Sequence, residues 1–192
     1  LVLGSSRQHE ADGERKLTGL GVAMKNQRAK NGVPMDLGIN GSLSDTLHLV
    51  DLENLVGDPY ASSERSQLVL AEYRQIAAQK FGHLAVVAAN HHLLDPVIYE
   101  LAEWSRAHHA SGPDGADNVL LDNAPCQWVC QRFKRLVIGS GDHIFADLAE
   151  AAITHGLAVT VVGRVGSIAR RFSTLGCDIR MLSEFDDVLV AA

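Results

Sequence analysis

Leu49-Val50-Asp51-Leu52-Glu53-Asn54-Leu55 sets the reading of the whole chain. The apolar run from Leu47, broken only by His48, stops at an acid. Asn54 follows three residues on, and Gly57-Asp58-Pro59 then breaks the chain. A short apolar run closed by turn formers reads as a buried strand that carries Asp51 and Asn54 out at its C-terminal end. In open α/β sheets that is the end where ligands bind. Leu136-Val137-Ile138-Gly139-Ser140-Gly141-Asp142 repeats the logic: an apolar strand that stops at glycines and an acid. Between the two lies Gly115-Ala116-Asp117-Asn118-Val119-Leu120-Leu121-Asp122, which opens a helix with Asp117 in its first turn.

Outward from these stretches, strands and helices alternate. Ser62 or Ser63 caps a helix with Glu64 in its first turn. That helix runs to about Lys80, with Leu68, Leu70, Tyr73, Ile76 and Ala77 facing inward. His83–Ala89 is a continuous apolar strand, as expected when both faces are covered. Asp95-Pro96 opens a second helix with Val97, Ile98, Leu101 and Trp104 inward. A short strand over 106–110 and a helix over 116–133, interrupted near Pro125, lead into a strand over 135–139. A helix over 144–155, a strand over 157–162, a helix over 167–175, a strand over 178–182 and a last turn over 184–190 follow. The alternation predicts an α/β fold with a mostly parallel sheet of about five strands, covered on both faces through right-handed crossovers. Residues 1–45, rich in Gly, Ser, Lys and Asn without sustained periodicity, read as a disordered tail. Residues 46–192 then form the domain, and Met24 or Met35 is a candidate start of the natural product.

The chain has 192 residues and 46% apolar content, enough for a core. No apolar run approaches the roughly 20 residues of a membrane span, and no basic start with an apolar core marks a secretory leader. Three cysteines, an odd number, argue against a disulfide framework and fit a reducing cytoplasm. Cys126 and Cys130 read as small residues on one helical face.

Asp51, Asp117, Asp142 and Asp122 are the candidate metal ligands. Mg²⁺ and Mn²⁺ take hard oxygen donors, and carboxylates gathered at one sheet edge supply them. Two carboxylates about 5 Å apart at an effective dielectric of ~20 repel by ~3 kcal/mol. That repulsion equals about two pKa units. A metal-free pair therefore retains a proton near neutrality, and a bound cation reverses that preference. Taken singly, an acid at a strand end is ordinarily a cap or turn former. The recurrence of the pattern is what points to a site. Asn54 is placed to orient Asp51, and Ser140 to donate to a phosphate or to Asp142. Arg164 and Arg170, after the fifth strand, are candidates for backbone phosphates. His91 and His92 fall on the same rim, where unpartnered histidines are ordinarily bystanders. Gly139-Ser140-Gly141-Asp142-His143-Ile144 lacks the third glycine of a dinucleotide fingerprint and would aim Asp142 at a pyrophosphate.

On Val50-Asp51-Leu52-Glu53-Asn54-Leu55, Gly112-Pro113-Asp114-Gly115-Ala116-Asp117-Asn118-Val119-Leu120-Leu121-Asp122 and Val137-Ile138-Gly139-Ser140-Gly141-Asp142-His143-Ile144-Phe145, the chain resembles an NYN domain of the PIN-like nuclease superfamily. The resemblance spans roughly residues 46–182. It implies a three-layer α/β/α fold, with the first and fourth strands adjacent at the centre of the sheet. It also implies an acidic Mg²⁺ or Mn²⁺ site and RNA as substrate. Asp51, Asn54, Asp117 and Asp142 carry over as catalytic residues, and Asp122 as a further helical acid. Many relatives have another acid where this chain has Ile144, which thins the cluster.

The expectation is therefore a cytoplasmic, metal-dependent ribonuclease, with a homo-oligomer left open. The alternative is a catalytically weak or inactive NYN-type module that binds RNA or protein. Ile144 and the net charge of -6 favour that alternative, because nucleic-acid binders are usually basic. A phosphatase of the haloacid dehalogenase type ranks last, since its Asp-x-Asp pair is Asp51-Leu52-Glu53 here.

Overall fold

β1 (Thr46–Asp51) runs through the middle of a six-stranded, wholly parallel sheet of order β3-β2-β1-β4-β5-β6. The computed structural model describes residues 44–184 apart from 103, 104, 111 and 113. The other strands are β2 (Leu84–Ala89), β3 (Arg106–His109), β4 (Arg135–Gly139), β5 (Ala158–Gly163) and β6 (Asp178–Met181). All six strands placed along the sequence join the sheet, one more than the expected count of about five. β3 and β6 are four-residue edge strands with only partly buried side chains, so their apolar signal is weak.

The alternation of a strand divides its residues between the two faces. Leu47, Leu49, Leu136 and Ile138 face one core, completed by α5 (Gly115–Asn123), α6 (Cys126–Arg132), α7 (Ala146–Thr154) and α8 (Arg170–Thr174). Val50, Val87 and Val137 face the other. That core is completed by α1 (Leu52–Val56), α2 (Ser63–Ile76), α3 (His91–Leu94) and α4 (Ile98–Ala102). Two helical layers enclosing one sheet give the three-layer α/β/α architecture. No helix among the described residues is long and apolar enough to cross a membrane.

His48 is fully buried in the middle of β1. Such a group is tolerated only when its polar atoms are satisfied. Its Nδ1 lies 3.0 Å from the Tyr73 hydroxyl and its Nε2 lies 2.9 Å from His83 Nδ1. Burial, with the charges of His83 and Arg135 adding, pushes the ring's pKa down to about 3, so it is held neutral.

Several boundaries move. α2 ends at Ile76 because Ala78 turns left-handed (φ 51°). Leu70 and Tyr73 of α2 face inward as expected, but Leu68 is exposed and Val69 is buried instead. The interruption expected near Pro125 divides 116–133 into two helices, since a proline ring cannot continue a helix. The helix expected from Ile144 begins with a 3₁₀ turn, His143–Phe145, before α7. α1 and α3 were not foreseen as helices. The tail assigned to 1–45 up to residue 43, Trp104, and the final turn beyond residue 184 lie outside the described residues.

Candidate functional site

Register decides which residues meet. Val50 pairs with Gly139, so β1 and β4 end side by side, and Asp51 and Ser140 leave the sheet together. Asp51, nearly buried, caps α1 by accepting the Asn54 N–H at 3.1 Å. Asn54 Oδ1 in turn accepts the Gly141 N–H at 2.9 Å. Ser140 Oγ donates to Asp51 Oδ2 at 3.4 Å and accepts the Asp142 N–H at 3.2 Å. The strand-end turns are thus stitched across the sheet by side chains from both. Gly141 makes the close approach possible: a Cβ there would fall 2.3 Å from the Ser167 carbonyl oxygen. The same turn accepts the Ala169 N–H at Gly141 O, 2.8 Å away.

Asp117 arrives from the third segment, in the first turn of α5. It is 7% exposed, and its Oδ1 is buried without a hydrogen-bond partner. Its carboxyl and that of Asp51 act on one another electrostatically. Burial pushes the Asp51 pKa up to about 7, with the charges of Asp117 and Glu53 adding and the Asn54 N–H opposing. Burial also raises Asp117, helped chiefly by the charge of Asp142 and opposed by the interaction with Asp51. The two acids, both raised, therefore retain a proton between them near neutrality.

Asp142 stands next to this pair but is differently employed. Its Oδ1 accepts the Ile144 N–H at 3.0 Å and meets His143 Nδ1 at 2.9 Å. Asp122 is not brought in: it is exposed and does not act on either buried acid. Five residues along a helix turn a side chain about 140° away. Among the described residues, no three His, Cys, Asp or Glu side chains are grouped so as to hold an ion. The expected four-acid cluster is thus a buried pair with a third acid beside it.

Arg164, after β5, donates its Nε to Asn54 O at 2.8 Å and lays its guanidinium against Gly57. Arg170 opens α8 and is exposed. Arg171 is taken by Asp147 and Glu150, each at 2.6 Å. Glu53 was missed as a member of the site. Its Oε1 accepts the Asn90 N–H at 2.7 Å, and its charge reaches both buried acids. Its place two residues after Asp51 was the available signal.

The strand order is the one found in dinucleotide-binding sheets, with the switch point between β1 and β4. There, a glycine-rich turn follows β1. Here Asp51, Leu52 and Glu53 follow it, so carboxylates stand where a pyrophosphate would need backbone N–H groups. Compared with protein-family models, curated proteins and solved structures, the chain has no match.

Proposed function

We propose that the chain is a metal-dependent ribonuclease of the NYN, PIN-like kind, hydrolysing RNA phosphodiester bonds with Mg²⁺ or Mn²⁺. The observation that carries the reading is the Asp51–Asp117 pair at the β1/β4 switch point. Two nearly buried carboxyls that act on one another, one pKa raised to about 7 and one oxygen without a partner, form an incomplete set of hard donors. A divalent cation completes such a set. Asp51 and Asp117 would hold the ion as a pair, with Asp142 beside them. When bound, the ion supplies positive charge that acidifies a water and offsets the charge of the phosphodiester.

The chain's own groups do the remainder. Ser140 Oγ orients Asp51 through Oδ2. Asn54 fixes the distance between the two strand-end turns. Arg164 and Arg170, on the β5 side of the same edge, take backbone phosphates and set the register of the strand. The test is cleavage of RNA with Mn²⁺ or Mg²⁺ by wild type and by Asp51→Asn. Equal rates for the two proteins would end the reading.

The second reading is a non-catalytic module that binds RNA or protein. Asp142, with one oxygen taken by the Ile144 N–H, and Ile144 in place of an acid favour it. A protein that binds RNA but shows no Mn²⁺-dependent rise in Tm would select it.

A further inference from the structure

We propose that Tyr60, His92 and His91 form a stacking platform for the bases of single-stranded RNA; the inference rests on the nuclease reading of the adjoining acids. Tyr60 is 76% exposed. Its ring centroid lies 5.3 Å from that of His92, which lies 3.9 Å from that of His91. Both histidines are exposed. An aromatic ring left this open contributes little to the core, yet its backbone is held in place. Asp58 Oδ1 accepts the Tyr60 N–H at 2.9 Å, and Asn90 Nδ2 donates to Pro59 O at 3.1 Å. Asn90 also caps α3, accepting the Leu93 N–H at 3.1 Å, and so holds the loop and the two histidines together. Its own N–H goes to Glu53, two residues from Asp51. One residue therefore joins the rings to the acidic site.

The chemistry of the patch selects the ligand. Neither Gly57–Ser62 nor Asn90–Leu94 contains a Lys or Arg, while Glu53 and Asp58 lie alongside. Arg164 against Gly57 is the cation at the edge of this patch; at the rings themselves the π-face of a base stacks on Tyr and His regardless of its identity. A duplex hides those faces within its own stack and presents phosphates, so only a single strand fits. Arg170 opens α8, after β5, while Arg164 lies between, its guanidinium against Gly57. A strand crossing the edge would have bases on the β2 side and phosphates held on the β5 side.

The experiment measures binding of a labelled single-stranded RNA and its duplex to the full chain in EDTA, by fluorescence anisotropy. Cleavage with Mn²⁺ is measured separately. The single strand should bind more tightly than the duplex. Tyr60→Ala and His92→Ala should each weaken it about five- to hundredfold, and Tyr60→Phe should retain wild-type affinity. Both positions are exposed, so Tm should not move. Equal affinity for the two RNAs, or an unchanged Kd in Tyr60→Ala, overturns the platform. So does a ring set that serves a protein partner, which leaves no RNA affinity to lose. Wild type that cleaves while Tyr60→Ala binds normally refutes the platform alone. Ring-dependent binding without cleavage supports the platform and refutes the nuclease.

Discussion

Asn54 accepts the Gly141 N–H at 2.9 Å while its own N–H donates to Asp51 at 3.1 Å, so one residue ties the β1 and β4 turns into a single rim. Asn54→Ala leaves the Gly141 N–H without its partner, a loss of about 1–3 kcal/mol. Urea denaturation should show it. Asn54→Asp keeps an acceptor and should recover part of the stability. Mn²⁺-dependent cleavage should fall at least tenfold in Asn54→Ala, because the separation of the two turns is no longer set.

Gly141→Ala should be poorly tolerated. Its Cβ would meet the Ser167 carbonyl oxygen at 2.3 Å and its carbon at 2.7 Å, both backbone, so no rotamer change relieves the overlap. A loss of about 1–3 kcal/mol is expected. Gly115→Ala is the control, since its Cβ would meet nothing closer than 3.7 Å. Thermal melts of the two variants should differ by several degrees.

Two buried groups titrate with opposite effect in the metal-free protein. Folded Asp51 holds its proton up to about pH 7, above the unfolded value of 3.8, so its contribution to stability falls as pH rises across that window. Folded His48 resists protonation down to about pH 3, below the unfolded value of 6.5, so its contribution rises with pH between those limits. Between pH 4 and 6.5 the slopes oppose. Asp51→Asn removes the first and should expose the second as a stability that climbs with pH, by at most ~1.4 kcal/mol per unit. Urea melts in EDTA across that range check it; a variant whose pH profile parallels wild type would contradict the burial assigned to Asp51.

Metal binding should compete with the proton shared by Asp51 and Asp117. Mn²⁺ affinity, followed by calorimetry, should tighten from pH 6 to pH 8 with proton release. Asp117→Asn should remove the Mn²⁺-dependent rise in Tm, whereas exposed Asp122→Asn should leave it intact.

Much of this was legible beforehand because it is local. The run Leu47–Val50 ending at Asp51 and the run Leu136–Gly139 ending before Ser140 both appear as strands with those ends. The parallel sheet followed from strand–helix alternation. Leu68 and Asp122 failed for a common reason. Each lies off the buried face of its helix, Leu68 about 200° round from Leu70 and Asp122 about 140° round from Asp117. Glu53 was passed over because its partner, the Asn90 N–H, is remote in sequence and joins it only through the β1–β2 register.

The order of residues alone determined where each strand stops and which polar groups are delivered there, since apolar periodicity and turn formers act over a few neighbours. It did not determine that Asp51 and Asp117 act on one another as a buried pair while one oxygen of Asp142 accepts its own Ile144 N–H. Strand register, the placing of α5 over β1 and β2, and competition between a carboxylate's possible hydrogen-bond donors decided that. Those are three-dimensional distances, and a linear pattern holds no record of them.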